Sequence, residues 1–122
     1  MNVELDNAES HYVIQGYDRS GVMINDQRFE SSLILTPVLL TDNWPPRTLE
    51  ELQIEHLQPL LQLAPEIVLL GTGLELDFPQ TEINGVFINA GIGFEVMDTA
   101  AACRSFMVLA SEARHVAAAL II

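Results

Sequence analysis

The stretch EIVLLGTGLELDFP, Glu66 to Pro79, decides the fold. Its first part, Ile67 to Leu70, is continuously apolar rather than alternating, the pattern of a strand covered on both faces. Gly71-Thr72-Gly73 then breaks the run. Downstream, Ile83, Val86, Phe87 and Ala90 recur at helical spacing, which predicts a helix over 80–90 ended by Gly91. Ile92 to Met97 reads as a strand. Asp98 or Thr99 caps a helix running from Ala100 to about Ala113, and Val116 to Ile122 closes as a strand. The half that begins at Glu66 is therefore βαβαβ, with strands expected to be parallel.

Upstream the pattern changes. Tyr12, Ile14 and Gly16 alternate with His11, Val13 and Gln15. Asp18-Arg19-Ser20-Gly21 and Asn25-Asp26-Gln27 read as turns around Val22 to Ile24, and Phe29 to Leu35 runs out to Pro37. The simple reading is an antiparallel meander of three strands, followed by a short apolar piece at Pro37 to Leu40. Thr48 and Glu51 have capping-box spacing and predict a helix start after the Trp44-Pro45-Pro46 connection. A further turn or two is expected across EHLQPLLQL, Glu55 to Leu63. Residues 1–10 are polar and acidic and read as a flexible arm or a loosely paired edge. Residues 11–122 then form one α/β domain with a mixed sheet.

Composition removes several classes of function. The 122 residues carry 17 acids and 5 bases, a net charge of −12, and all the bases are Arg. Nucleic acid is not an expected partner, because binding to its backbone rests on clustered positive charge. No apolar run approaches the roughly 20 residues of a spanning helix. The N-terminus has neither a basic start nor an apolar stretch, so a cytoplasmic protein is expected. The single Cys103 cannot form an internal disulfide. His11, His56 and His115 are scattered with no metal-ligand spacing, so no metal and no cofactor are expected.

Several ordered motifs in the second half carry a family resemblance. Pro65-Glu66 precedes the apolar strand ending in Gly71-Thr72-Gly73. Gly91-Ile92, Glu95-Val96-Met97, Thr99 and Ala102-Cys103-Arg104 follow in order. The chain resembles the small proteins related to mitochondrial complex I assembly factor 3, as a short bacterial member, over about Phe29 to Ile122. The resemblance implies a three-layer fold with a central mixed sheet of about five strands. It supplies no catalytic residues. After Arg104 the family commonly carries Thr-Tyr-Asn, and here Ser105-Phe106-Met107 stands instead.

The candidate pocket follows from topology. If the strands at 66–70 and 92–97 are parallel, Gly71, Thr72 and Gly73 leave the sheet beside Asp98 and Thr99. That is where open α/β sheets bind ligands. No phosphate-loop signature is completed, and Glu75 and Asp77 would repel phosphate. Thr99 either caps its helix or helps hold a small anion at the helix start. Arg104 lies in a helix that is apolar nearly all round, so it is expected to be covered and paired with Glu95 or Asp98. The pair either fixes helix to sheet or forms a pocket wall. Cys103, on the apolar stripe, is expected to be buried and inert, with His115 roughly 20 Å away along the helix. Two functions remain open. One is a non-enzymatic interaction module with an unidentified protein partner, with self-association possible. The other is a small-molecule binder or minor enzyme using the strand-end crevice.

Overall fold

Ile67 to Gly71 forms a strand with covered faces, and two more strands pair with it in parallel. The computed structural model describes residues 2–4 and 11–122. In chain order the strands are β1 (Asn2–Glu4), β2 (Ile14–Asp18), β3 (Gly21–Ile24), β4 (Gln27–Phe29), β5 (Leu33–Leu35), β6 (Leu39–Thr41), β7 (Ile67–Gly71), β8 (Gly93–Met97) and β9 (Val116–Leu120). The helices are α1 (Gln58–Leu63), α2 (Thr81–Ala90) and α3 (Thr99–Ser111), and 3-10 turns span Leu49–Glu51 and Ile54–Leu57.

A six-stranded sheet runs β1-β6-β5-β9-β7-β8. It is mixed: β9, β7 and β8 are parallel, while β5, β6 and β1 add on antiparallel. The expected βαβαβ half is present. The second crossover, through α3, carries the chain from β8 past β7 to β9. Val116-Ala-Ala-Ala-Leu120 forms a central strand although alanine favours helix. Tertiary context overrides the propensity, as is common for strands. Each of its five residues is buried.

Alternation along β9 divides the core in two. Val116, Ala118 and Leu120 join Leu69, Leu33 and Leu35 under α3 and the β2–β3–β4 hairpins. Ala117, Ala119 and Ile121 join Val68, Leu70 and Ile34 under α1, α2 and the 3-10 turns. The sheet is thus the middle of three layers. Phe106 and Cys103 anchor α3 on one side. Phe87 anchors α2 on the other and stacks on Phe94 with ring centroids 4.4 Å apart.

Three expectations need correction. The N-terminal antiparallel meander of three strands is present, but its third strand ends sooner than expected. Strands β2, β3 and β4 form a separate three-stranded sheet, and the expected third strand is cut in two. Phe29 stays in the small sheet, the chain bends at Ser31, and Leu33 begins β5 against Leu120. Unbroken apolarity hides that bend. The main sheet has six strands rather than about five. The helix expected from Thr48 is only a 3-10 turn, and the Thr48 side chain makes no cap. Glu51 instead turns back to accept a hydrogen bond from the Arg47 N–H, 2.9 Å. Of the expected N-terminal arm, Asn2–Glu4 pairs with β6, and the remaining residues up to 10 lie outside those described. Among the described residues no helix is long and apolar enough to cross a membrane.

Adjacent residues of α2 test the layered core. Phe87 is fully buried, whereas Ile88 is largely exposed. Phe87→Ala should cost about 3–5 kcal/mol, while Ile88→Ala should stay within about 0.5 kcal/mol. Urea denaturation of both variants checks the contrast. Equal losses would contradict the assignment of faces.

Candidate functional site

Strands β7, β8 and β9 end together, and the backbone there is closely tied. The Thr72 N–H donates to Met97 O at 2.9 Å, and the Ile121 N–H donates to Gly71 O at 3.0 Å. The Thr99 N–H donates to Gly73 O at 2.9 Å. The Thr99 hydroxyl accepts from the Gly73 N–H at 2.8 Å and donates to Ile121 O at 2.7 Å. One side chain therefore joins the loop after β7, the end of β9 and the start of α3. Gly71 makes this approach possible, since a Cβ there would lie 2.9 Å from Thr99 Oγ1 and 3.0 Å from Thr99 Cα. Gly73 has φ +108°, a conformation that suits glycine. Thr72 serves the loop itself: its hydroxyl donates to Glu75 O at 2.6 Å and accepts from the Asp77 N–H at 3.2 Å.

The Gly-Thr-Gly segment is thus more than a strand end that turns, and its polar groups are already engaged by protein. The helix start is engaged too. Asp98 is the N-cap of α3, and its carboxylate accepts from the Ala101 N–H at 2.8 Å. That places a negative charge where an external anion would have to sit. Thr99 is the tie, not the cap.

Gly71, Thr72, Gly73, Asp98 and Thr99 are brought together, whereas Glu95 and Arg104 are not part of that cluster. Glu95 is exposed on the edge strand β8. Arg104 is also exposed, and its guanidinium donates to the Tyr17 hydroxyl at 2.6 Å. The expected pair with Glu95 or Asp98 is absent among the described residues. The small sheet packs on α3 and brings Tyr17 across it. Arg104 thus sits at the margin, with its head in solvent, and needs no carboxylate. Cys103, one residue earlier, is buried, and burial pushes its thiol up to about 11.

Sequence reasoning missed two features of this end. The loop after Gly73 exposes Leu74, Leu76 and Phe78 by 62, 53 and 69%. Glu75 and Asp77 alternate with them. The signal was present in LELDF, which has strand-like alternation but no partner strand. The second feature is a cavity of about 280 Å³ between the β2–β3 turn and the tied strand ends. Tyr17, Arg19 and Val22 line one side, and Gly73, Leu74, Thr99, Ala100 and Ile121 line the other. No sequence signal joins Tyr17 to a helix 87 residues away.

The turn that roofs this cavity is fixed by Asp18 and Arg28. Two guanidinium N–H groups reach the Asp18 carboxylate at 3.0 Å each, and the Ser20 N–H adds a bond of 2.9 Å. The Arg28 hydrogen bonds, then that of Ser20, hold the Asp18 carboxyl well below the usual carboxylate range.

The architecture is that of the Mth938-like domains. A Bordetella pertussis protein so described, solved by NMR, superposes with a TM-score of 0.78 at 25% identity, covering 98% of this chain and 91% of that one. A Xanthomonas campestris structure superposes with a TM-score of 0.86 at 38% identity, covering 97% and 91%. Residues 14–121 match the family described as protein of unknown function DUF498/DUF598, and the chain belongs to that family. It is 32% identical over 121 residues to the Xenopus tropicalis NADH dehydrogenase [ubiquinone] 1 alpha subcomplex assembly factor 3. The match covers 98% of this chain and 65% of that relative, so the chain spans slightly less than two thirds of it.

Two outcomes test the site. Thr99→Val strands the Gly73 N–H and the Ile121 carbonyl and should destabilise by about 1–3 kcal/mol. Arg104→Ala removes an exposed contact and should cost less than about 1 kcal/mol. Thermal denaturation that ranks them the other way would overturn the geometry. The Asp18 contribution should depend on pH. Its folded carboxyl titrates below that of the unfolded chain, which lies near 3.9. The stabilisation is therefore complete above about pH 4 and lost as pH falls through the depressed native value. The gap in stability between wild type and Asp18→Asn should be constant from pH 7 to about 5 and shrink below about 4. A gap that widens on acidification would contradict the sign.

Proposed function

We propose that this chain is a non-enzymatic, cytoplasmic interaction module that docks a protein partner through the loop after β7. The observation that carries the reading is the exposed alternation of Leu74, Leu76 and Phe78 with Glu75 and Asp77. Large apolar side chains held out on a tied loop are a recurrent feature of protein-binding surfaces. Burying one such side chain contributes about 1.5–3 kcal/mol. Glu75 and Asp77, within a chain of net charge −12, favour a partner surface that is apolar at its centre and basic at its rim. The assembly-factor name of the Xenopus relative supports this class of role.

The test is affinity purification from the native cell with wild type and with Leu76→Ser/Phe78→Ser, compared by quantitative mass spectrometry. Both positions are exposed, so the variant should melt close to wild type. It should lose a protein that wild type enriches at least about tenfold, the loss expected from about 1.4 kcal/mol. Light scattering separates a heterologous partner from a second copy of the chain. An identical set of captured proteins with both baits would reject the loop as the docking element.

A further inference from the structure

We propose that the cavity beneath the β2–β3 turn binds a small molecule with an apolar body and a single carboxylate, the carboxylate meeting Arg19. This goes beyond the docking role, because it assigns a partly open cavity on the other side of Leu74.

Size sets the first limit. At about 30 Å³ for each water-sized group, 280 Å³ holds roughly nine non-hydrogen atoms. A bare inorganic anion would leave most of the space unfilled. The lining sets the second limit. Val22, Leu74, Ala100, Ile121 and Ile122 are apolar, and the Thr99 hydroxyl is already bonded on both sides. The body of the ligand must therefore be apolar.

Charge sets the third limit. Of the five arginines, Arg28, Arg47 and Arg114 pair with carboxylates. Arg104 bonds to Tyr17. Arg19 lines the cavity and makes no ion pair or hydrogen bond with the described residues. Arg19 is exposed on the turn, so its guanidinium is available to a ligand at the cavity mouth. Asp18 also lines the cavity, but both its oxygens face the Arg28 guanidinium, so it does not cancel Arg19. A cationic ligand would find no available carboxylate there. The start of α3 gives an anion no help, since Asp98 already occupies it. Arg19 is thus the one cavity residue suited to recognise a carboxylate.

Octanoate, with its apolar chain and single carboxylate, has about the right size. The experiment is a titration of the full chain at pH 7, followed by amide shifts in 15N NMR, with octanoate, 1-octanol and acetate. Octanoate should give saturable shifts centred on residues 17–22, 73–74, 99–100 and 121–122. Acetate should give none. 1-Octanol should bind at least about fivefold more weakly, the value of roughly one exposed charge contact. Arg19→Gln, on an exposed turn, should weaken octanoate by the same factor and leave 1-octanol unchanged. Arg47→Gln, an exposed arginine outside the cavity lining, should leave both unchanged. The proposal is overturned if octanoate shows no saturation, or if 1-octanol binds as tightly. It is also overturned if Arg47→Gln acts like Arg19→Gln, or if the shifts centre on residues 75–78, which would indicate adsorption to the exposed loop.

Discussion

The Thr99 hydroxyl is the contact on which this end of the molecule depends. It accepts from the loop after β7 and donates to the end of β9, from its place at the first turn of α3. A hydroxyl is the smallest group that can do both. The approach is so close that Gly71 can carry no Cβ without something moving. The arrangement therefore couples two sequence choices that lie far apart, a glycine at a strand end and a threonine after a helix cap. It also sets where Gly73 and Leu74 sit, and so defines both the apolar loop and one wall of the cavity.

Stability elsewhere comes from burial rather than charge. The ion pairs of Arg28, Arg47 and Arg114 lie on partly or fully exposed side chains, where such pairs contribute little. The centre of the sheet is made of alanines in β9, flanked by larger side chains from both covering layers. Small residues in the middle strand let α3 pack closely on one face of the sheet. Cys103 belongs to this packing. Its burial and raised thiol fit a core residue rather than a nucleophile.

Much of the C-terminal half was legible in the sequence, because its signals are local. Ile67 to Leu70 announces a covered strand, Gly91 ends α2 in a left-handed conformation, and Asp98 caps α3. The N-terminal half was less legible because its decisive event is a bend inside an apolar run. Phe29 and Leu33 look like members of one strand, yet they belong to different sheets. Arg104 failed for a related reason. Composition along α3 suggested cover on all sides, but the small sheet reaches only part of the helix and leaves the guanidinium outside, on Tyr17. Of the cavity, only the side at Gly73 and Thr99 lies where topology pointed, and the β2–β3 turn that forms the opposite wall was not legible, since no local signal ties residues 17–22 to the strand ends.

Leu74 belongs both to the exposed loop and to the cavity wall. An occupant of either proposed site would meet this same side chain. A cavity ligand that favours one position of Leu74 changes the free energy with which a partner meets Leu76 and Phe78. By linkage the partner changes ligand affinity by the same factor. The tie at Thr99 limits how far that influence spreads, because Gly73 is held on both its N–H and its carbonyl. The segment beyond it is braced in turn by the Thr72 hydroxyl. The loop is therefore anchored at its origin by Thr99 and braced along its length by Thr72, so Leu74, Leu76 and Phe78 are held out by a fixed backbone.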